Sequence, residues 1–177
     1  DSMGLDLPLP RGRGWTPEQH VAAFIAAGET EVCLGQPSTA SRLAMARLAC
    51  TDVPGFVVDD WEISRDQPSY SVHTLSHLRQ QVGNQVALVF IMGMDAFNQF
   101  CSWHHWQRIL ELAHLWVAQR PGSQVPNITT DEGKLLDARQ VHSTQLLEKT
   151  AGGICLYETT ALDISATNLR RQMAQGI

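Results

Sequence analysis

Cysteine is sparse and never paired: Cys33, Cys50, Cys101 and Cys155 stand far apart, with no C-x-x-C among them. That spacing offers neither a zinc knuckle nor a redox dithiol, and it leaves reduced thiols in a cytoplasmic protein as the expectation. No stretch reaches the roughly eighteen apolar residues of a membrane span, and no basic start runs into an apolar segment. Neither a membrane helix nor a signal peptide is therefore expected. Positive charge is also short, with 13 Lys and Arg against 18 Asp and Glu for a net charge of -5. That balance argues against a nucleic-acid or membrane partner and leaves room only for a local basic pocket for phosphates. Internal repeats, G-x-S-x-G, the Walker A pattern, G-x-G-x-x-G and H-E-x-x-H are absent too.

What is present fits one domain: 177 residues, 44% of them hydrophobic. Its most informative stretch is the apolar run from Val86 to Gly93, followed by Met94 and Asp95. Such a run reads as a strand buried on both faces in the middle of a parallel sheet. Ligands of open α/β sheets sit beyond the carboxyl ends of the strands, where Gly93 would let a bound group approach and Asp95 would supply the first charge. A plainer reading is equally open: Gly93 turns the chain and Asp95 caps a short helix.

Residues 1–15 hold Pro8, Pro10, Gly12 and Gly14 around Arg11 and Arg13, which suggests a mobile arm ahead of a domain spanning 16–177. Thr16, Pro17 and Gln19 signal a helix start, running to Ala27 with Gly28 closing it. A short strand over Glu31–Leu34 follows, then a helix over 39–50 that would bury Leu43, Leu48 and either Met45 or Ala44 while Arg42 and Arg47 point outward. After an extended segment around 56–63, Ser69 to Ser71 opens a helix with Val72, Leu75 and Leu78 on one stripe, stopping near Gly83. Beyond the apolar strand come a helix over 103–112, a strand over 115–118 ending in a Pro-Gly turn, and a weakly patterned stretch with a helix near 131–139. A strand over 154–157 and a final helix opening at Asp163–Ser165 complete the chain. Strands alternating with helices imply a parallel sheet flanked by helices.

Chemistry could reside in two places. Ser165 at the start of the final helix, with Thr167 and Arg170 nearby, would offer backbone amides, a hydroxyl and a forked cation to phosphate oxygens. An ordinary cap beside a solvated Arg pair explains the same residues. Trp103 and Trp106 flank His104 and His105 and could form a stacking wall for a planar ring, or simply a core tryptophan beside solvated histidines. His73 and His77 at i and i+4 lack an acidic third ligand and read as a solvated face, so no metal site is expected.

The ordered motifs are more specific. Pro68-Ser69-Tyr70-Ser71, Thr74-Leu75, Met92-Gly93-Met94-Asp95, Trp103-His104, Gln119-Arg120-Pro121 and Ile164-Ser165-Ala166-Thr167-Asn168-Leu169-Arg170 together resemble bacterial nicotinate-nucleotide adenylyltransferase. Arg42–Met45, and Val58-Asp59 with Glu62 before Arg65-Asp66, fall in the matching order, so the likeness spans residues 38 to 176. It implies a Rossmann-like α/β domain that moves the adenylyl group of ATP, with Mg2+, onto nicotinate mononucleotide and releases pyrophosphate. It also implies Ser71 beside the nicotinate ring, where the family usually has Thr. Asp95 would lie on a ribose hydroxyl past Gly93, Trp103 and His104 at the nicotinate end, and Arg120 near the substrate. Ser165, Thr167 and Arg170 would hold the ATP phosphates. The family's G-G-T-F-D-P-x-H-x-G-H motif, whose histidines stabilise the phosphates, has no counterpart here, nor does its P-P-H-R segment. The chain also stops before the family's closing helix, so the domain is read as one that could be incomplete at both ends. No catalytic residue is assigned, and a non-catalytic nucleotide-binding module is the alternative.

Overall fold

The computed structural model describes residues 38–51, 55–65, 68–159 and 171. The arm over 1–15, the helix over 16–27, the strand over 31–34 and the final helix carrying Ser165, Thr167 and Arg170 lie outside the described residues. Within them the order is α1 (Thr39–Cys50), α2 (Ser71–Val82), β1 (Val89–Gly93), α3 (Met94–Phe97), α4 (Trp106–Leu112), β2 (His114–Gln119), α5 (Asp131–Arg139) and β3 (Ile154–Glu158). Short 3-10 turns occupy Phe100–Ser102 and Ser143–Leu147.

The three strands run parallel in the order β1-β2-β3. Phe90, Leu115 and Ile154 share one row of the register, and Ile91, Trp116 and Cys155 the next. Alternation along a strand sends those rows to opposite faces. The first face carries the main core, where Leu75 of α2, Phe97 of α3, Phe100, Ile109 of α4 and Leu115 are all fully buried. Each such side chain contributes about 1.5–3 kcal/mol of transfer free energy. The second face is covered more thinly, with Trp116, Leu146 and Cys155 packed against Val89, Val141 and Tyr157.

Two expectations about burial are corrected. The central strand among the described residues is β2, buried from His114 through Val117, whereas β1 alternates and leaves Ile91 40% exposed. The apolar run 86–93 therefore buries one face under α2 and α4, and no described helix covers Ile91 on the other. Helix α1 occupies 39–50 as expected, capped by the Ser38 hydroxyl accepting from the Ser41 amide at 3.1 Å, but it buries nothing. Met45 is 60% and Leu48 76% exposed. Among the described residues no strand packs on α1, which is tied down by the exposed Arg47–Asp60 ion pair.

Two polar groups hold the core together. Arg79 falls on the apolar stripe of α2 and is 8% exposed. Its Nε and Nη2 donate to the Leu112 carbonyl at the end of α4, Nη1 donates to Gly83 at 2.9 Å and Val86 at 2.6 Å, and Nη2 also reaches Thr150 at 3.0 Å. One guanidinium thus joins the exit of α2, the entry to β1, the end of α4 and the approach to β3. Burial draws its pKa below the usual arginine value, but the many donors and purely carbonyl surroundings keep the charged form matched. His114, 1% exposed, hydrogen bonds to the Lys149 carbonyl through Nε2 at 2.9 Å and accepts from the Gly153 amide at Nδ1, also 2.9 Å. A Cβ on Gly153 would stand 2.8 Å from Val141 Cγ2 and 3.1 Å from His114 Nδ1, so the close amide approach requires glycine.

Replacing Arg79 by Met keeps the length but strands the buried Leu112 carbonyl and three part-buried ones, and is expected to cost about 3 kcal/mol in a urea titration. His114 accepts from an amide only when neutral, and burial pushes its pKa down. Its contribution is full above the unfolded value of about 6.5 and is lost as pH falls through the lower folded value. Melting temperature should drop on acidification below about pH 6.5, and His114→Gln should flatten that drop.

Candidate functional site at the carboxyl end of the sheet

The segment leading into α2 is held by one carboxylate. Glu62 accepts from the Ser69 hydroxyl at 2.7 Å and from the Thr74 hydroxyl, gripping the Pro68–Ser71 turn from both sides. Asp59 accepts from the Trp61 amide at 2.8 Å and sets the turn that delivers Glu62. Trp61 then stacks on His77 with centroids 4.3 Å apart and planes 7° from parallel, while the Arg65 guanidinium lies 4.3 Å over the indole. A cavity of only about 10 Å³ remains between this turn and α2, room for a water and no more. Tyr70 cannot cap α2 with its side chain, so Ser71 opens the helix half-buried with no side-chain cap hydrogen bond from Tyr70.

Against Tyr70 comes the loop after β1. Trp103 and His104 were expected in a helix over 103–112, but the 3-10 turn ends at Ser102, Trp103 is extended, and His105 takes a left-handed backbone with φ 51° before α4 begins. That kink turns the two residues toward α2. The His104 ring lies 4.4 Å from Tyr70 and 6.2 Å from His73, and His105 is 4.1 Å from His104. Trp103 packs edgewise on Phe90 of β1 at 6.2 Å and against Phe100 at 5.6 Å. His73 and His77 are therefore a packed face and not the solvated one expected, because Tyr70 and Trp61 each cover one of them. The buried Nδ1 of His73 has no hydrogen-bond partner.

Desolvation, then the neighbouring His105 and His73, pull the His104 pKa below its usual value. Cys101 is pushed up to about 11 by burial, with Glu132 and Asp131 adding to it, and so is no nucleophile near neutral pH. Cys50, Cys101 and Cys155 are all free thiols.

Gly93, Asp95 and Arg120 sit at the strand ends. Gly93 pairs with Ala118 across β1 and β2, Asp95 is exposed in the first turn of α3, and Arg120 follows β2 directly, also exposed. The Arg120–Ser123 turn closes with bonds of 2.9 and 3.1 Å between Arg120 and Ser123, and Asn98 after α3 donates to Gln124 at 3.1 Å. These contacts bring the ends of β1 and β2 and their loops to one rim. The Cβ position of Gly93 faces open space and its φ of -81° suits any residue, so packing gives no reason for glycine there. Free space at a strand end is what an approaching ligand requires.

The described residues therefore bring together Ser71, Trp103 and His104 through Tyr70, and place Gly93, Asp95 and Arg120 along the adjoining strand ends. Ser165, Thr167 and Arg170 lie outside the described residues. A cleft of about 520 Å³ lies elsewhere, lined by Trp106, Leu110, Leu135, Arg139 and Lys149, and of the candidate residues singled out from sequence it holds only Trp106. The expected residues that are described fall at the strand ends and the turn ahead of α2. Sequence reading missed Glu62 as the clamp and Tyr70, His73 and His105 as members of the ring cluster. Tyr70 and Glu62 stood within the motif set and the histidines were visible as two pairs, but no residue pattern gave any of them these contacts. Among the described residues no group of three His, Cys, Asp or Glu side chains could hold a metal, and no helix is long and apolar enough to cross a membrane.

Glu62→Ala should cost about 1–3 kcal/mol in thermal denaturation, since two hydroxyl donors lose a charged acceptor. It should also release the Tyr70 ring from His104, read as a shift of the His104 imidazole resonances. Glu62→Gln should recover most of both.

A family model described as cytidylyltransferase-like matches residues 30–172. A probable nicotinate-nucleotide adenylyltransferase of Acidithiobacillus ferrooxidans is 45% identical over 134 residues, covering 75% of this chain and 61% of the relative. A protein of the same name from Dechloromonas aromatica is 35% identical, covering 96% and 83%. A solved Plasmodium falciparum nicotinic acid mononucleotide adenylyltransferase, complexed with APC, is 15% identical with a TM-score of 0.49, covering 75% of this chain and 61% of that one. The chain thus spans about three-fifths of the length of the Acidithiobacillus relative. With most of its residues inside the family match and a 35% identical relative of which it covers 83%, the chain belongs to the cytidylyltransferase-like family, among the nicotinate-nucleotide adenylyltransferases.

Proposed function

We propose that this chain binds nicotinate mononucleotide and ATP at the carboxyl end of its sheet and transfers the adenylyl group between them, as a cytoplasmic enzyme of NAD synthesis. The observation that carries this reading is the seating of the His104 ring 4.4 Å from Tyr70. It joins the P-S-Y-S and W-H segments, distant in sequence, into one aromatic corner that packs on Phe90 of β1 through Trp103. The names of the relatives supply the substrate class.

In the proposed reaction a phosphate oxygen of the mononucleotide attacks the α-phosphorus of ATP. The bond to the β-phosphate oxygen breaks and pyrophosphate leaves. Such transfer needs little covalent help and depends on alignment and charge stabilisation. Trp103 offers a flat apolar face to the pyridine ring, and Ser71 and His104 offer polar groups at its edge. Asp95 accepts from a ribose hydroxyl, and Arg120 supplies positive charge at the rim. Ser165, Thr167 and Arg170 are the residues assigned to the ATP phosphates. Magnesium is treated as part of the ATP substrate, since the described residues offer no cluster to hold it.

Incubation with ATP, magnesium and nicotinate mononucleotide is expected to yield the dinucleotide and pyrophosphate. Retained binding without product would reduce the reading to a nucleotide-binding module, and absence of both would end it. Where transfer occurs, Asp95→Ala should raise KM roughly ten- to a hundredfold with a smaller change in kcat, the signature of a lost charged hydrogen bond to bound substrate.

A further inference from the structure

His73 has no part in the reading above, although its position resembles that of a working residue. It lies on α2 one turn past Tyr70, its ring edge-on to Tyr70 at 5.8 Å and to His104 at 6.2 Å, with a buried ring nitrogen that bonds to nothing. His105 closes the group at 4.1 Å from His104, held by its left-handed backbone. Three imidazoles thus stand in one chain of ring contacts, close enough for a charge on one to be felt by the next.

The surroundings leave that unit as the adjustable charge. Glu62 is occupied by Ser69 and Thr74. Arg65 lies over Trp61, and His77 is stacked on the same indole and bonded to Gln81. On α4, Arg108 is paired with Glu111 at 2.5 Å.

We propose that His73 determines the preference for an acid over the corresponding amide: with His104 and His105 it takes up one shared proton when an anionic ring acid settles against Tyr70 and Trp103. The proton comes from solvent, and no bond to the ligand is formed or broken. A neutral amide at the same place supplies no charge to favour protonation. This inference rests on the pyridine-nucleotide reading of the site and adds to it the residue that reads the ligand's charge. Desolvation, then His105 and His73, lower the His104 pKa, so an anion beside the ring is what would favour its charged form.

Titration calorimetry of the whole chain tests it, with nicotinate mononucleotide and nicotinamide mononucleotide as probes in two buffers of different ionisation heat. The phosphate common to both probes cancels in the comparison. The acid should take up a larger fraction of a proton than the amide near pH 7, and the acid-to-amide affinity ratio should fall about tenfold between pH 6 and pH 8. His73→Gln should hold that ratio within about twofold. Should that variant fail to fold, His105→Asn, which tolerates the left-handed backbone, should flatten the profile in the same direction. Equal proton uptake for the two probes, or a pH profile unchanged in either variant, overturns the inference while the binding site stands. Failure of both probes to bind at any pH overturns the site reading and the inference together.

Discussion

A single buried guanidinium sets the spacing on which the rest of this molecule depends. Arg79 gathers carbonyls from four separate segments, the exit of α2, the entry to β1, the end of α4 and the approach to β3. Backbone bonds join those segments only in pairs, as where the Leu88 amide donates to the Thr150 carbonyl at 3.2 Å and the Gly152 amide to Ala113 at 3.1 Å, and hydrophobic packing alone is non-directional. With α2 and α4 pinned at their lower ends, their upper ends are left facing each other across the strand tips. The meeting of Tyr70 with His104 follows from that geometry. His114 performs the matching task for the second sheet face, tying the Lys149–Gly153 loop to the start of β2.

At the upper rim the molecule is built from short, locally awkward pieces. An uncapped helix start, a left-handed histidine and an exposed glycine each depart from the most stable local choice. Such departures concentrate where structure serves a site. Glu62 compensates for the first by clamping the turn ahead of α2, and Phe100 with Phe90 anchors Trp103 ahead of the second. The site is thereby supported from beneath by core aromatics while its polar edges stay open.

Much of this order could be read from residue patterns. Periodicity located α1, α2 and the three strands closely, because those elements have clear apolar spacing and punctuation by Gly or Pro. It misjudged burial wherever the answer depended on neighbours distant in sequence: Leu48 and Met45 stand exposed on a helix that no described strand packs against, and Ile91 lies on the face that no described helix covers. The helix expected from Trp103 failed at His105, since a left-handed residue cannot be inferred from an aromatic cluster. Arg79 was legible in principle, a cation at i+4 from Leu75 on an apolar stripe, but its farthest acceptor lies 71 residues away in sequence. Glu62 gave no local hint, its partners being 7 and 12 residues away. The motif set was legible as a resemblance, and the family match bears that resemblance out.

The central claim is physical: segments far apart in sequence converge at one rim to hold a pyridine nucleotide. Backbone amide shifts recorded while nicotinate mononucleotide is added to the isotopically labelled chain test it most directly. The account predicts that the largest changes fall together on Ser71, Gly93, Asp95, Trp103 and His104, with Arg139 and Gly152 at the other cleft unmoved. Changes centred on Arg139, Lys149 and Gly152 instead, or scattered without a focus, would contradict it.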